Sequence, residues 1–520
     1  MTSRTGAGLL LRQNLTRDRV IVPVWLLVLA ALCLVSAAAT PGLYDTDADR
    51  VRAAQAINDS PAIVALYGPI LDVHSIGELS MTKMTVLYAV FGAILFVVLV
   101  RRHTRVEEES GRTELVGGTA VGRDAPLAAA VAEAVLVALL LGVLIALANI
   151  AGGLDPVGSI AFGLVWLGTG LVATGIAAVC CQLSASARTC AAAAAGVLGA
   201  LFVLRAAGDA ASATWLSSLS PFGWNTQARA WSGTRWWVLL LYPLLAGALV
   251  AVAQHLRGRR DVGAGLLAAR PGPASGSPRL RDAVSLTLRV QGAALVVWTG
   301  AVAVLGLLFG VIAPGLDDLL DSGTAQELID RLGGEMLAAV LSMIAIVVSC
   351  FAISVVSHAG SDETGGRAEV VLATATSRAR WLAAALVVAL VGSLWLLLVT
   401  GVTLWIGYAT AGGPSPGDLV TAALGWSPAV WVVVGLAALL LALRGSWAVL
   451  GWAWPVLFLT LTIVGELVGF PDWLTGLSPY SHVPAMPAEP WRWAPEVGLT
   501  AVAAVLIAGA WLRFRERDIG

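Results

Sequence analysis

Two polar stretches carry the densest concentration of reactive side chains in this chain, and they read alike. Residues 108–123 are EESGRTELVGGTAVGR and residues 363–378 are ETGGRAEVVLATATSR. At a constant offset of 255 they share Glu108/Glu363, Gly111/Gly366, Arg112/Arg367, Glu114/Glu369, Val116/Val371, Thr119/Thr374, Ala120/Ala375 and Arg123/Arg378, and an acid precedes each, Glu107 and Asp362. The spacing offers i,i+4 ion pairs, Arg105/Glu109, Glu108/Arg112 and Glu363/Arg367. Such pairs add only a few tenths of a kcal/mol to a helix, so one such loop alone reads as a solvated, self-stapled helix. A glycine inside a helical charge run costs about 1 kcal/mol. Its recurrence at the same place in both loops points to a turn or a close contact, and the repeated pattern to a docking surface for a cytosolic protein.

Other chemistry is sparse. A phosphate-binding loop of the G-x-x-x-x-G-K-[ST] type needs a lysine; the sole lysine, Lys83, follows Leu79-Ser80-Met81-Thr82 with no glycine frame. If ATP and Mg drive this protein, another polypeptide holds them, and no cofactor is expected in this chain. The five cysteines fall in or at the ends of apolar runs and the five histidines are scattered, so neither a disulfide framework nor a metal site is expected. Glu133 lies inside an apolar run, with Val388 at its repeat position, and an intramembrane acid is a functional candidate by default. Arg205 and Asp209 read as a structural pair, and Glu466 ends another apolar run. A membrane enzyme acting on lipid would need convergent acids, histidines or a metal near one interface, and no such set is legible.

The elements that must position these groups follow from composition. The chain has 520 residues, 58% hydrophobic and 12% charged, with a mean hydropathy of +0.83 and a net charge of -1. A single soluble core cannot absorb that much apolar surface, and the charge balance suggests no nucleic-acid partner. Runs of about 20 apolar residues place spans near 20–40, 83–101, 126–149, 157–181, 189–207, 236–256, 290–312, 336–357, 381–409, 419–443, 446–467 and 495–512. The first run is too long for a signal-peptide core, and its counterpart in the second half is internal. The fold class is therefore an all-α integral membrane protein of about 12 transmembrane helices, arranged as two tandem six-helix repeats.

The repeat extends beyond the polar loops. Pro41-Gly42-Leu43 and Trp25 match Pro314-Gly315-Leu316 and Trp298 at an offset of 273, and Trp215-Leu216-x-x-Leu219-Ser220-Pro221 matches Trp473-Leu474-x-x-Leu477-Ser478-Pro479. Both halves finish alike, Arg260-Asp261-Val262-Gly263 against Arg517-Asp518-Ile519-Gly520. The fall in offset from 273 to 255 shortens the outer loop between the first two spans of the second half. The expected organisation is a first membrane half over 1–263, a Pro/Gly/Ser linker over 264–280 and a second half over 281–520. Arginine bias puts both termini and the linker in the cytosol, with 24 of the 32 basic residues on that side.

A Glu-rich stretch, then Gly, then Glu before an apolar pair, then Arg, after the second of six spans, resembles the membrane subunits of the second class of ABC exporters. In that family the loop is a coupling helix that docks on the ATPase subunit. The doubled form, with Trp-Leu-x-x-Leu-Ser-Pro before the sixth span of each half, is similar to actinobacterial polyketide-antibiotic exporter permeases of the tetronasin-resistance type, over nearly the whole chain. The resemblance implies a multi-pass permease subunit in the bacterial inner (plasma) membrane, not itself an enzyme, exporting hydrophobic or amphiphilic compounds such as antibiotics or drugs. Two copies of a cytosolic ABC ATPase would bind it, carrying ATP and Mg. The coupling residues would be Glu107, Glu108, Gly111, Arg112, Glu114 and Arg123 in one loop, and Asp362, Glu363, Gly366, Arg367, Glu369 and Arg378 in the other. Glu108 and Glu363 would dock directly or by holding Arg112 and Arg367. Residues 7–19, with 281–290 as partner, would form an elbow helix on the membrane, and the Trp-rich outer segments would be interfacial or re-entrant. A proline common near the end of the family's loop is absent, with Ala120 and Ala375 near that place.

The competing reading is a proton-coupled six-plus-six antiporter of the major facilitator type. That family carries a short Gly- and Arg-rich loop after its second span, whereas this loop is about two dozen residues long and acidic. The orientation is testable. In a background without native cysteines, Asp47→Cys should react with an impermeant maleimide added to intact cells and Ser275→Cys should not; outside labelling of Ser275→Cys reverses the topology.

Overall fold

Inside a bilayer every backbone N–H and C=O must be satisfied within the segment, which restricts a chain of this hydropathy to helices. The computed structural model describes residues 3–44, 46–267, 274–317, 326–409, 415–468, 471–486 and 489–517. All regular elements among these are helical. Among the described residues eleven helices are long and apolar enough to cross a membrane: Ile21–Leu43, Leu87–Glu109, Ala125–Ala151, Pro156–Leu183, Ala187–Ala210, Trp236–Gly258, Ala283–Gly310, Leu337–Thr364, Arg378–Tyr408, Pro416–Leu443 and Trp493–Glu516. The protein is an all-α, multi-pass membrane protein.

The run expected at 446–467 differs from a spanning helix. It opens as 3-10 turns over Gly445–Trp452 and becomes α-helical only over Ala453–Val468. Pro455 has no N–H to give a preceding turn, and the stretch begins at Gly445, where a Cβ would meet the Glu363 carboxylate at 2.7 Å. Part of the expected linker (268–273), the tail 518–520 and the side chain of Glu466 lie outside the described residues.

The chain divides into two compact units, Met1–Gly272 and Pro273–Gly520. In the first, Pro156–Leu183 is the most enclosed helix and packs on Ala125–Ala151, Leu87–His103 and Leu241–Gly258. Small residues allow that approach: a Cβ on Gly163 would sit 2.4 Å from the Gly142 carbonyl oxygen, and one on Gly168 would strike the Tyr242 ring. Asn225 joins the outer segment to this core, accepting from the Tyr242 hydroxyl at 2.7 Å and donating to the Thr85 carbonyl at 2.8 Å. In the second unit Leu337–Thr364 and Pro416–Leu443 are the enclosed helices, and Gly310 meets the backbone of Leu404 and Gly407. The repeated Ser-Pro motifs have a local role. Ser220 and Ser478 each accept from the N–H two residues on and start a short helix, Pro221–Gln227 or the 3-10 turn Pro479–His482.

The two units begin differently. The first has a separate helix, Ala7–Arg17, that ends at Asp18 before the span Ile21–Leu43. The expected partner at 281–290 is instead the start of one continuous helix, Ala283–Asp317. Asp18 leaves the helix to pair with Arg102 and His103, and its repeat position, Gln291, makes no such pair.

Packing at Gly163 is directly testable. Gly163→Val should cost about 1–3 kcal/mol through overpacking, read as lower membrane yield and an earlier melting transition. Gly247→Ala, whose Cβ would meet nothing within 4 Å, should leave both unchanged.

Candidate functional site

The first polar loop folds as two short helices, Arg105–Glu109 and Arg112–Gly117, hinged at Gly111 with φ of 73°. The second follows the same plan. The helix Gln326–Thr364 ends, Gly366 takes φ of 73°, and Arg367–Leu372 follows. Left-handed backbone of this kind favours glycine, so the repeated glycine shapes a turn in both loops.

The turn changes the pairing that the spacing suggested. Arg105 and Glu109 do not pair, nor Glu108 and Arg112, nor Glu363 and Arg367. Arg105 is fully buried; it meets Glu108 at 3.0 Å and donates to the carbonyls of Cys181 and Ala264. Glu109 accepts from the N–H of Ala187 at 3.0 Å. Arg112 reaches Glu107 at 3.3 Å, and Arg17 of the N-terminal helix reaches the same carboxylate at 2.8 Å. Arg367 pairs with Asp362 at 2.7 Å. For Glu108/Arg112 and Glu363/Arg367 the reason is geometric: a left-handed residue between the two helices rotates the second out of register with the first; Arg105 and Glu109, both in the first helix, are instead drawn to other partners in the unit.

Glu108 and Glu363 turn inward to the arginine that ends the last helix of their own unit. Glu108 takes both arms of Arg260, at 2.7 and 2.8 Å, while Arg260 Nε donates to Gln182 at 2.8 Å. Glu363 pairs with Arg517, which also donates to the Leu441 carbonyl at 3.0 Å. The other end of each loop grips the same residue. Arg123 donates to the carbonyl of Arg260 at 2.7 Å, and Arg378 to the carbonyl of Arg517 at 2.8 Å. Each loop is thus closed by an acid at its start and an arginine at its end, both fastened to one arginine. The Glu108–Arg260 pair is bidentate, and such pairs are directional as well as strong, while Glu363 meets Arg517 through one oxygen. Arg260 and Arg517 were legible only as repeated terminal motifs, with no role attached.

The outward face of each short helix carries the remaining candidates. Arg112, Glu114 and Leu115 are exposed in the first loop, and Arg367, Glu369 and Val370 in the second. Leu115 is 78% exposed and Val370 73%, at equivalent positions. These two apolar residues were not on the candidate list; their signal was the apolar pair after Glu114 and Glu369.

Glu133 has company that sequence spacing could not reveal. It is wholly buried, and His103 Nε2 lies 3.4 Å from it and 2.7 Å from Asp18. Arg102 holds the other oxygen of Asp18 at 3.1 Å. Two acids and an imidazole form a donor set that some metals accept. Tetrahedral zinc ligands at about 2.1 Å from the ion stand about 3.4 Å apart, so the 2.7 Å approach of His103 to Asp18 reads as a hydrogen bond. Arg205 and Asp209 pair at 3.1 Å, as expected of a structural ion pair, and Asp209 also accepts from Ser217.

The polytopic helical fold with its duplicated, clamped loops is that of a membrane permease. The chain belongs to the family of the multidrug efflux system permease Rv1217c: it is 39% identical over 527 residues to that Mycobacterium tuberculosis protein, covering 99% of this chain and 95% of the relative. Residues 280–515 also match the model of the C-terminal domain of the multidrug efflux system permease Rv1217c.

The clamp has a measurable energy. Glu108→Ala leaves buried guanidinium groups without their acid and should destabilise by about 3–5 kcal/mol, whereas exposed Glu114→Ala should stay within about 0.5 kcal/mol. Melting of the purified permease measures both. The Glu108→Ala/Arg260→Ala double variant should lose less than the two single losses added.

Proposed function

We propose that this chain is the membrane subunit of an ATP-driven ABC exporter of hydrophobic or amphiphilic compounds, drugs and antibiotics among them. Two copies of a cytosolic ABC ATPase, which bind ATP and Mg, dock on the helices Arg112–Gly117 and Arg367–Leu372. The observation that carries this reading is the duplicated outward face, an exposed aliphatic residue beside an acid and an arginine in both units. Single exposed apolar side chains are ordinary. The same one at repeat-equivalent positions, on a helix whose inner side is locked by the clamp, is what a paired docking site requires. The efflux permease of Mycobacterium tuberculosis supports export as the direction of transport.

In this reading Glu108, Arg123, Glu363 and Arg378 position the docking helices, and Arg112, Glu114, Leu115, Arg367, Glu369 and Val370 meet the ATPase. Gly111 and Gly366 set the turn, while Glu107 and Asp362 hold Arg112 and Arg367. The membrane is the bacterial inner membrane, with both termini and the 264–280 linker cytosolic between six-span halves at 1–263 and 281–520. The doubled form is that of the tetronasin-resistance-type permeases.

Purification from native membranes should bring down an ATP-hydrolysing protein at two copies per permease. Leu115→Asp combined with Val370→Asp should abolish that co-purification and efflux while leaving the melting transition in place. Efflux that survives loss of the ATPase but collapses with the proton gradient overturns this reading in favour of an antiporter.

A further inference from the structure

The units share one more place in the fold, beneath the start of the first span and beside the polar loop. In the first unit it is lined by Leu10, Asn14, Arg17, His103, Glu107 and Val116, around about 50 Å³ of space. In the second, the corresponding residues Ala283, Thr287, Val290, His358, Asp362 and Val371 surround about 240 Å³. Each pair keeps one of the two repeat offsets, 273 or 255.

The difference has a chemical origin. In the first unit the space is crossed by ion pairs, Arg17 to Glu107 and Asp18 to His103, with Glu133 behind them. The second unit replaces Arg17, Asp18 and Glu133 with Val290, Gln291 and Val388. The crossing side chains are gone and the histidine remains. Leu286, Val355, Trp381 and Ala385 complete the cavity walls, and the Trp381 ring is held by stacking on Phe514 at 5.7 Å.

One polar group in this cavity has nothing to bind. Gln291 is only 6% exposed and lines the cavity, yet its side-chain amide finds no hydrogen-bond partner among the described residues. An amide offers two donors and an acceptor, and here these open onto the cavity rather than onto another side chain. At the rim the two basic side chains that line the cavity, Arg367 and His358, both face the Asp362 carboxylate, at 2.7 and 3.7 Å. A cavity of about 150 Å³ accepts a benzene ring; this one has room for a ring with substituents.

We propose that the cavity around Gln291, Leu286 and Trp381 binds an uncharged hydrophobic small molecule, its ring against Trp381 and a hydrogen-bonding group on the Gln291 amide. The first unit has no equivalent site, because its ion pairs fill the space. This rests on the export reading above and deepens it: the exported compound is recognised in the second half alone, by one amide in an apolar cavity. A phospholipid is disfavoured because the rim cations Arg367 and His358 already face the Asp362 carboxylate, which would repel its phosphate.

The test uses Nile red, a neutral hydrophobic dye, titrated by fluorescence polarisation into the purified full-length permease. Leu286→Trp, which fills the cavity, should abolish saturable binding. Gln291→Leu, which keeps the volume and removes the amide, should weaken it by about two- to tenfold. Gln13→Trp, the same position in the first half, should leave binding unchanged. Unchanged binding in both Leu286→Trp and Gln291→Leu overturns the site, as does displacement of the dye by lysophosphatidylcholine at lower concentration than by unlabelled neutral hydrophobic drugs. Nile red accumulation in cells separates the two readings. Binding that follows these expectations without any permease-dependent efflux sinks export and keeps the site; efflux that is intact in both cavity variants sinks the site and keeps export.

Discussion

An ionised carboxylate at the end of a membrane helix is stable only if its charge is answered locally, and here the answer comes from the far end of the same unit. Glu108 is held by Arg260 and Glu363 by Arg517, about 150 residues away in each case. The loop that follows the second span cannot then drift from the end of the unit's last helix. Arg123 and Arg378 close the other side of each loop on the same residue's carbonyl. The left-handed turn at Gly111 or Gly366 next decides which way the short helix faces. With the acid turned inward, the Arg-x-Glu and its aliphatic neighbour are left outward. Docking, if the proposed ATPase uses this face, is a consequence of the clamp's geometry.

Around this common device the halves have diverged. In the first, the N-terminal helix is tied to the loop through Arg17 and Glu107, and to the end of the second span through Asp18 and His103. In the second, one continuous helix replaces the broken one, and the ties are lost with Val290 and Gln291. The first half spends its polar side chains on internal fastening. The second leaves a cavity with an unanswered amide. Each half also has its own hydrophobic core, so divergence in one need not disturb the packing of the other.

Much of this was legible in the chain, for physical reasons that can be named. Spanning helices follow from length and hydropathy alone, because lipid offers the backbone no alternative, and ten of the twelve expected runs begin and end within several residues of the helices found. The break at Gly445–Trp452 was not legible, since the apolar run through it is as long and as continuous as those of the spanning helices. The turn at Gly111 and Gly366 was readable from a glycine where a helix should not have one. Glu108/Arg112 and Glu363/Arg367 were misread because that same turn takes the partners out of register, and Arg105/Glu109 because tertiary contacts claim both side chains. Arg260 and Arg517 stood out as repeated ends, but their connection to Glu108 and Glu363 is a contact over long sequence separation that no local spacing encodes. Glu133 was visible as an acid among apolar residues; Asp18 and His103 join it only once three elements fold together.

The clamp also bears on what such an interaction is for. A buried ion pair is a poor source of net stability, because desolvating both charges offsets most of their attraction, and apolar replacements of similar volume often do as well. Stability alone would therefore give little reason for the same pair to stand in both halves while neighbouring positions change from Arg17 to Val290 and from Glu133 to Val388. What an ion pair supplies and an apolar contact does not is direction: a charge-assisted hydrogen bond holds carboxylate and guanidinium within a limited range of orientations, most narrowly where it is bidentate as in Glu108–Arg260, and an error of register breaks it. A docking helix that must pass a displacement to a transmembrane helix needs that fixed angle more than it needs free energy. In the proposed assembly, then, Glu108–Arg260 and Glu363–Arg517 are the joints through which movement of a bound ATPase would reach the last helix of each half, and the cavity of the second half lies beside one of these joints, where filling it would be felt by the loop.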